Sequence, residues 1–289
     1  MPELPEVETI RRIVERELVG RTLTGVDLTL PKLVRDSPLP DLELLVGRTV
    51  MSADRRAKVL VTHWSDGLSV LTHFKLAGQL AVLRPDGSRV VAGHPVPDPE
   101  WTFPHKATHL TLRFDETIAY YSDIRQFGWW RLMPTDEVGA ALAAFRFGPE
   151  GTGSTGFGRD DLAGRLQRRR IAVKQALLDQ RVVAGLGNIY VDEALHRAKI
   201  HPRRPANDLQ PDEIDRLHPA IGWALDRGIE QGGAAIRHGK AHPRDGFPTV
   251  HARKDEPCTT CGTAIVKIAV GGRGTYFCPV CQPEPAIVS

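Results

Sequence analysis

Apolar side chains recur at Val7, Ile10, Ile13 or Val14, and Leu18, and Gly20 ends the run. That spacing is close to the helical period of about 3.6 residues, so residues 5 to 18 are predicted to form a helix with one buried face. From Thr22 to about Leu132 the pattern changes to short runs at 26–30, 49–53, 59–64, 69–72, 79–83, 109–114 and 118–121, separated by turn residues such as Asp66-Gly67 and Asp86-Gly87. Such runs predict an antiparallel β-sandwich or flattened barrel. Residues 84–105, rich in Pro, Gly and Asp, have no period and are expected to form a loop. Residues 148–158, Gly-Pro-Glu-Gly-Thr-Gly-Ser-Thr-Gly-Phe-Gly, have the composition of a hinge. Beyond it the period turns helical over 160–168, 171–179, 189–198 and 211–228. Residues 231–250 lack periodicity and are expected to be a mobile loop. Two last strands, about 265–270 and 275–277, are joined by Gly271-Gly272-Arg273-Gly274.

The predicted fold is therefore α+β and multidomain. An N-terminal antiparallel β-sandwich domain with a leading helix (1–147) precedes the hinge (148–158), a helical domain (159–240) and a C-terminal loop with a cysteine-bearing β-hairpin finger (241–289).

The chain has 289 residues, of which 41% are hydrophobic, enough to build cores. No apolar run approaches the ~20 residues of a membrane span, and the N-terminus is acidic, unlike a signal peptide. A cytosolic monomer is expected. The net charge is only +3, but Arg165, Arg168-Arg169-Arg170 and Arg203-Arg204 cluster as a phosphate-tracking surface would require; a solvated helix face is the alternative. All four cysteines fall near the C-terminus as Cys258-x2-Cys261-x16-Cys278-x2-Cys281. This is four-thiolate zinc spacing, and with no ligand position left open one Zn²⁺ there would be structural.

Candidate chemistry begins at Met1-Pro2-Glu3-Leu4-Pro5-Glu6. If Met1 is removed, Pro2 presents a secondary amine beside carboxylates, a nucleophile able to form an iminium with a sugar aldehyde carbon. The plain alternative is a proline-initiated helix whose acidic first turn complements the helix dipole. Between the second and third C-terminal helices, Gly185-Leu186-Gly187-Asn188 permits a tight turn and close approach to a phosphate, or a purely structural connection.

Pro-Glu-Leu-Pro-Glu-Val-Glu at 2–8, the run from Val173-Lys174 through Ala184-Gly185-Leu186-Gly187-Asn188-Ile189-Tyr190 to Leu195, and the cysteine finger together resemble the formamidopyrimidine-DNA glycosylases, bacterial enzymes that excise oxidised purines. The resemblance covers about residues 2–281 and implies a helix-two-turn-helix over 159–240. It implies Pro2 as the nucleophile at C1′ and Glu3 as general acid and base. Lys58, in Arg55-Arg56-Ala57-Lys58, would bind phosphate and assist elimination, as would Arg273. Arg125 would pair with the orphaned base and Phe127 would wedge into the stack, with Leu76 as third wedge residue. His73, His109, Arg170, Lys174 and Asn188 would contact DNA phosphates. The sequence departs from the family pattern at Leu76, where methionine is usual, at Lys75, where a small glycine is usual, and at Ala107, where a histidine is common. The 231–250 loop lacks most of the residues that cover a flipped oxidised guanine.

The implied activity is a bifunctional glycosylase and AP lyase of base excision repair. It would act on duplex DNA carrying oxidised purines or abasic sites, cleaving by β,δ-elimination, with zinc as the only cofactor. Three rivals remain: an endonuclease VIII type acting on oxidised pyrimidines, towards which Leu76 leans; a damage-binding protein without turnover; and a sequence-reading transcription factor, disfavoured because the finger offers one arginine and no recognition helix.

Overall fold

Two carboxylates start the first helix. Glu3 caps helix α1 (Leu4–Glu17), taking the backbone N–H of Glu6 on its side chain, while the Glu6 carboxylate accepts the N–H of Glu3 at 2.9 Å. This reciprocal capping box satisfies donors that the first turn leaves open. Val7, Ile10, Ile13 and Val14 form the buried face, and Leu18 is buried just beyond the helix, as the period predicts. The structure, a computed structural model, describes residues 1–94, 102–152, 157–237 and 240–284. Residues 95–101 of the expected loop, 153–156 of the expected hinge and 238–239 of the second expected loop lie outside the described residues.

The chain divides into two compact units, Met1–Phe145 and Arg146–Ser289. In the first, nine strands among the described residues follow α1: β1 (Gly25–Leu28), β2 (Val50–Arg56), β3 (Val59–Trp64), β4 (Leu68–His73), β5 (Gly78–Leu83), β6 (Arg89–Gly93), β7 (Thr108–Phe114), β8 (Thr117–Asp123) and β9 (Trp129–Pro134). They form two antiparallel sheets, β2-β3-β4-β9 and β1-β7-β8-β5-β6. Leu60, Trp64 and Val70 of one sheet share a single core with Leu80, Leu110 and Phe114 of the other and with the buried face of α1. Strand β6 corrects the expected 84–105 loop. It runs back along β5 from Leu83↔Arg89 to Gln79↔Gly93 after the Asp86-Gly87 turn, a pairing across the sheet that no local period announces. A short helix α2 (Val138–Ala143) closes the unit, too brief to show a helical period.

The second unit contains α3 (Arg159–Gln167), α4 (Val173–Leu178), α5 (Asn188–Ala198) and α6 (Pro211–Glu230). Pro211 and a capping box between Gln210 and Glu213 start α6. A strand pair, β10 (Ile236–Arg237) and β11 (Lys240–Ala241), lies within the expected 231–250 loop and corrects it in part. The terminal hairpin is β12 (Val266–Val270) with β13 (Arg273–Phe277). Its two-residue turn places Gly271 at φ 56 and Gly272 at φ 74, the left-handed pair such tight hairpins need.

At Gly78 a Cβ would lie 2.6 Å from the carbonyl oxygen of Phe74, against main chain that has no flexible end to move. Gly78→Ala is expected to lower stability by about 1–3 kcal/mol, the usual cost of overpacking, seen as a lower urea midpoint with an unchanged m-value.

Candidate active site and nucleic-acid interface

Pro2, Glu3 and Glu6 are buried where α1 begins, and Glu3 is only 1% exposed. Burial lowers the pKa of the chain's terminal amine, carried here by Met1; Glu3 and Glu6 pull it back up and Lys58 pushes it down again. Both carboxylates and the lysine are thus within electrostatic reach of the amine. Lys58 is itself buried, in the two-residue turn between β2 and β3. A third carboxylate, Glu8, fixes that turn against the helix. Glu8 accepts from Arg11 at 3.0 Å and from Arg55 at 3.2 Å, and Arg55 also donates to the carbonyl of Ala57 at 2.9 Å. Burial alone would raise the Glu8 carboxyl, but the hydrogen bonds and charges of Arg11 and Arg55 hold it below its ordinary value.

His73 ends β4, with Val59 and Trp129 as its cross-strand partners, so it neighbours the Lys58 turn. Its Nδ1 accepts the backbone N–H of Lys75 at 2.9 Å, which leaves Nε2 as the protonated nitrogen of a neutral ring. Burial first, then the charges of Lys75 and Lys58, lower its pKa to about 3. Leu76 is half-buried in the turn that follows.

The turn from β8 to β9 displays Ile124, Arg125, Gln126 and Phe127 at the surface. Phe127 is 55% exposed and Ile124 64%, while the Arg125 guanidinium sits 5.4 Å from the Phe127 ring centroid. A large aromatic left in water is not a core residue. Asp123 builds this loop. Its buried carboxylate accepts the N–H groups of Arg125 at 3.0 Å, Phe127 at 2.9 Å and Gly128 at 2.8 Å. His109, expected to contact phosphate, is buried instead, its Nε2 bonded to the Asp123 carbonyl at 3.0 Å. In this structure it supports the loop. Sequence reasoning missed Asp123 and Ile124, although an Asp heading a tight turn was a readable signal.

In the second unit two expected phosphate contacts face inward. Lys174 is fully buried, its Nζ 2.7 Å from Asp192 Oδ1 and donating to the Gly274 carbonyl at 3.1 Å. A solvent-side phosphate cannot reach an ammonium so enclosed, so the expected contact is corrected to an internal ion pair. The Asn188 side-chain amide donates to the same Gly274 carbonyl at 2.9 Å. Arg170 and Arg273 are exposed, as a backbone contact requires. Within the glycine turn Gly185, at φ 92, donates its N–H to Gln180 Oε1 at 2.9 Å, so that N–H serves the turn itself.

The sulfurs of Cys258, Cys261, Cys278 and Cys281 all lie within 4.8 Å of one another, with Cys261 to Cys278 at 3.4 Å and Cys258 to Cys281 at 3.9 Å. Zn–S bonds of about 2.3 Å in a tetrahedron place sulfurs roughly 3.8 Å apart, so the donor set fits one Zn²⁺. His196 Nε2 lies 3.3 Å from Cys258 Sγ and ties the finger to α5.

A sandwich led by a capped helix, a helix-glycine turn-helix and a four-thiolate hairpin define a zinc-bearing helix-two-turn-helix protein. Family models match all three parts: the formamidopyrimidine-DNA glycosylase N-terminal domain over 1–130, its H2TH domain over 147–239, and the zinc finger found in FPG and IleRS over 255–283. The formamidopyrimidine-DNA glycosylase of Pelotomaculum thermopropionicum is 39% identical, covering 98% of this chain and 99% of its own length. A crystal structure of a Lactococcus lactis FPG mutant with DNA containing Fapy-dG has a TM-score of 0.84 at 36% identity, covering 98% of this chain and all of the other. MutM in complex with DNA containing carbocyclic 8-oxo-G is equally similar, at TM-score 0.84 and 36% identity. The chain belongs to the formamidopyrimidine-DNA glycosylase family.

A histidine that titrates near pH 3 when folded and near 6.5 when unfolded binds fewer protons in the folded state across that window. Acidification from pH 6.5 towards 3 therefore favours unfolding through His73. His73→Gln should flatten the dependence of urea midpoint on pH between 6.5 and 4.5 relative to wild type; parallel profiles would show that His73 carries no such linkage. Chelating the zinc should abolish DNA binding while the β-sheet circular dichroism persists, because the thiolate site lies in the second unit; simultaneous loss of both signals would contradict this.

Proposed function

We propose that this chain is a bifunctional DNA glycosylase and AP lyase that excises formamidopyrimidines and 8-oxoguanine from duplex DNA and then cuts the strand. The observation that carries the reading is the buried group of terminal amine, Glu3, Glu6 and Lys58. A protein that only bound damage would have no use for a desolvated amine held beside two carboxylates. The relatives whose structures contain Fapy-dG and 8-oxo-G DNA favour oxidised purines over the pyrimidine alternative.

With Met1 removed the amine passes to Pro2. Its lone pair attacks C1′ of the flipped nucleotide, the new N–C bond replaces the glycosidic bond, and the base departs with that electron pair and a proton. Glu3 protonates the ring oxygen as the sugar opens, and the nitrogen lone pair completes the iminium. The iminium acidifies C2′; loss of that proton expels the 3′ phosphate, and a further elimination expels the 5′ phosphate. Lys58 stabilises the phosphate, and burial keeps a useful fraction of the amine unprotonated. Extruding the base leaves a gap in the stack, which Phe127 and Leu76 fill while Arg125 meets the orphaned base.

Arg170 and Arg273 contact the DNA backbone, while Lys174, Asn188 and His109 position elements that do. Residues 1–147 form the catalytic domain, 159–240 the DNA-binding domain and 241–289 the zinc module, acting as a monomer. The zinc thiolates and a genomic DNA substrate support a location in the bacterial cytosol.

Borohydride reduction on duplexes containing 8-oxoguanine, a formamidopyrimidine, an oxidised pyrimidine or an abasic site should trap a covalent adduct on the purine lesions and the abasic site. Pro2→Gly should lose most of that adduct and of strand cleavage while retaining its fold by circular dichroism. Wild-type cleavage in that variant would remove Pro2 from the mechanism; trapping on oxidised pyrimidines alone would reassign the substrate.

A further inference from the structure

One buried ring at the edge of the cysteine site has both of its nitrogens engaged. His196, on α5, is buried, and its Nε2 lies 3.3 Å from Sγ of Cys258. Its Nδ1 lies 3.3 Å from the hydroxyl oxygen of Thr249. Thr249 is itself fixed, because its hydroxyl and its N–H both donate to Oε2 of Glu193, the N–H at 2.7 Å. The next residue, Arg197, lays its guanidinium 4.2 Å over the Trp223 ring of α6, so the end of α5 that carries the imidazole is held as well. A histidine kept only as packing has no need of such partners. This one faces a metal-binding sulfur with one nitrogen and an anchored hydroxyl with the other.

Thiolate chemistry gives the sulfur contact a direction. Cysteine binds zinc as the thiolate, which carries no proton and can only accept. With metal bound, the hydrogen between Nε2 and Sγ therefore belongs to the imidazole. Four thiolates also outweigh the charge of one Zn²⁺, so the loaded site is a net anion, and each donor to a sulfur spreads that charge. The finger supplies some donors itself. The Thr260 N–H reaches Cys258 at 3.4 Å, the Cys281 N–H reaches Cys278 at 3.4 Å, and Thr263 bonds to Cys261. His196 differs from these in coming from a helix outside the finger.

We propose that His196 supports the zinc site without ligating the metal: its Nε2–H donates a hydrogen bond to the Cys258 thiolate, which strengthens retention of the metal and locks the loaded finger to α5. It is a positioning residue that acts through Cys258. The assignment goes beyond the catalytic reading and does not depend on it, since its test reads metal binding and needs no turnover.

The test uses the full-length protein, loaded with zinc or with cobalt, and three substitutions. His196→Phe keeps an aromatic ring and removes the donor. His196→Asn keeps an amide too short to reach the sulfur, and His196→Gln carries an amide N–H about as far from the backbone as Nε2. Competition with a chromogenic chelator should show zinc held about 10–100-fold more weakly by His196→Phe and His196→Asn, the usual loss when a group bonded to a metal ligand is removed. His196→Gln should recover most of that loss. In the cobalt-loaded protein the sulfur-to-cobalt charge-transfer band should move to longer wavelength in His196→Phe and His196→Asn, because a thiolate without its hydrogen bond gives up electron density more readily. The band should return towards the wild-type position in His196→Gln. A packing role would lower stability without moving that band. Wild-type zinc retention and an unmoved band in His196→Asn would overturn the proposal, even if His196→Phe fails to fold. Equal losses of zinc in all the variants with the band unmoved would also overturn it and reduce His196 to a packing residue.

Discussion

The arrangement of the second unit depends on one buried carboxylate. Asp192 accepts from Lys174 Nζ at 2.7 Å, from His251 Nδ1 at 2.7 Å and from the backbone N–H of Tyr276 at 3.1 Å. These partners come from α4, from the segment that leads into the first cysteine pair and from β13, so one side chain sets where the zinc hairpin lies on the helices. A buried ion pair adds little net stability compared with apolar packing, yet losing one partner strands a charge at a cost of about 3–5 kcal/mol. The pair therefore acts more as a positional lock than as glue. Lys174 and Asn188 both end on the carbonyl of Gly274, one residue from Arg273, so the arginine is presented from a backbone that cannot slide. Glu193 repeats the device next door. Its two oxygens take the N–H groups of Thr249, Val250 and His251, which orders the approach to the finger.

The first unit uses the same physics with different residues. Asp123 gathers backbone N–H groups and so shapes the loop bearing Arg125 and Phe127, and Glu8 gathers two arginines and so fixes the turn bearing Lys58. In each case an acid immobilises a segment that carries a candidate site residue, Asp123 through backbone N–H groups and Glu8 through the Arg55 side chain. Preorganisation of this kind suits a DNA-binding protein, because a loop that had to be ordered on binding would lose affinity to conformational entropy.

How much of this could be read from the sequence follows from the distance over which each feature is decided. The cysteine spacing, the helix period of α1 and the glycine turn are local, and all were legible. Strand β6 was not, because its pairing with β5 is a cross-sheet match in a segment without alternation. The site residues divide in the same way. Glu3 and Phe127 sit where neighbours within a few positions fix their setting. Lys174 finds Asp192 eighteen residues away, and Asp192 finds Tyr276 eighty-four away, so the inward turn of that lysine depends on contacts that no motif displays. Chemistry alone marks a lysine as a phosphate ligand; only the tertiary partner decides whether it faces the phosphate or a carboxylate.

That division also explains how a chain with a net charge of only +3 can suit a polyanion. Among the described residues Glu3, Glu6, Glu17, Asp123, Asp192 and Glu193 are buried, whereas the buried lysines and arginines are Lys58 and Lys174 alone. More acid than base has been withdrawn from the surface, and much of that acid is met at close range by internal cations or backbone N–H groups. The accessible exterior is therefore more basic than the whole chain, and it is this exterior field that steers and holds a phosphate backbone. The acids that rigidify the loops and the excess of cations left outside them arise from a single allocation of charge. A protein built this way gains a DNA-binding surface without carrying the large net charge that would destabilise its folded state through self-repulsion.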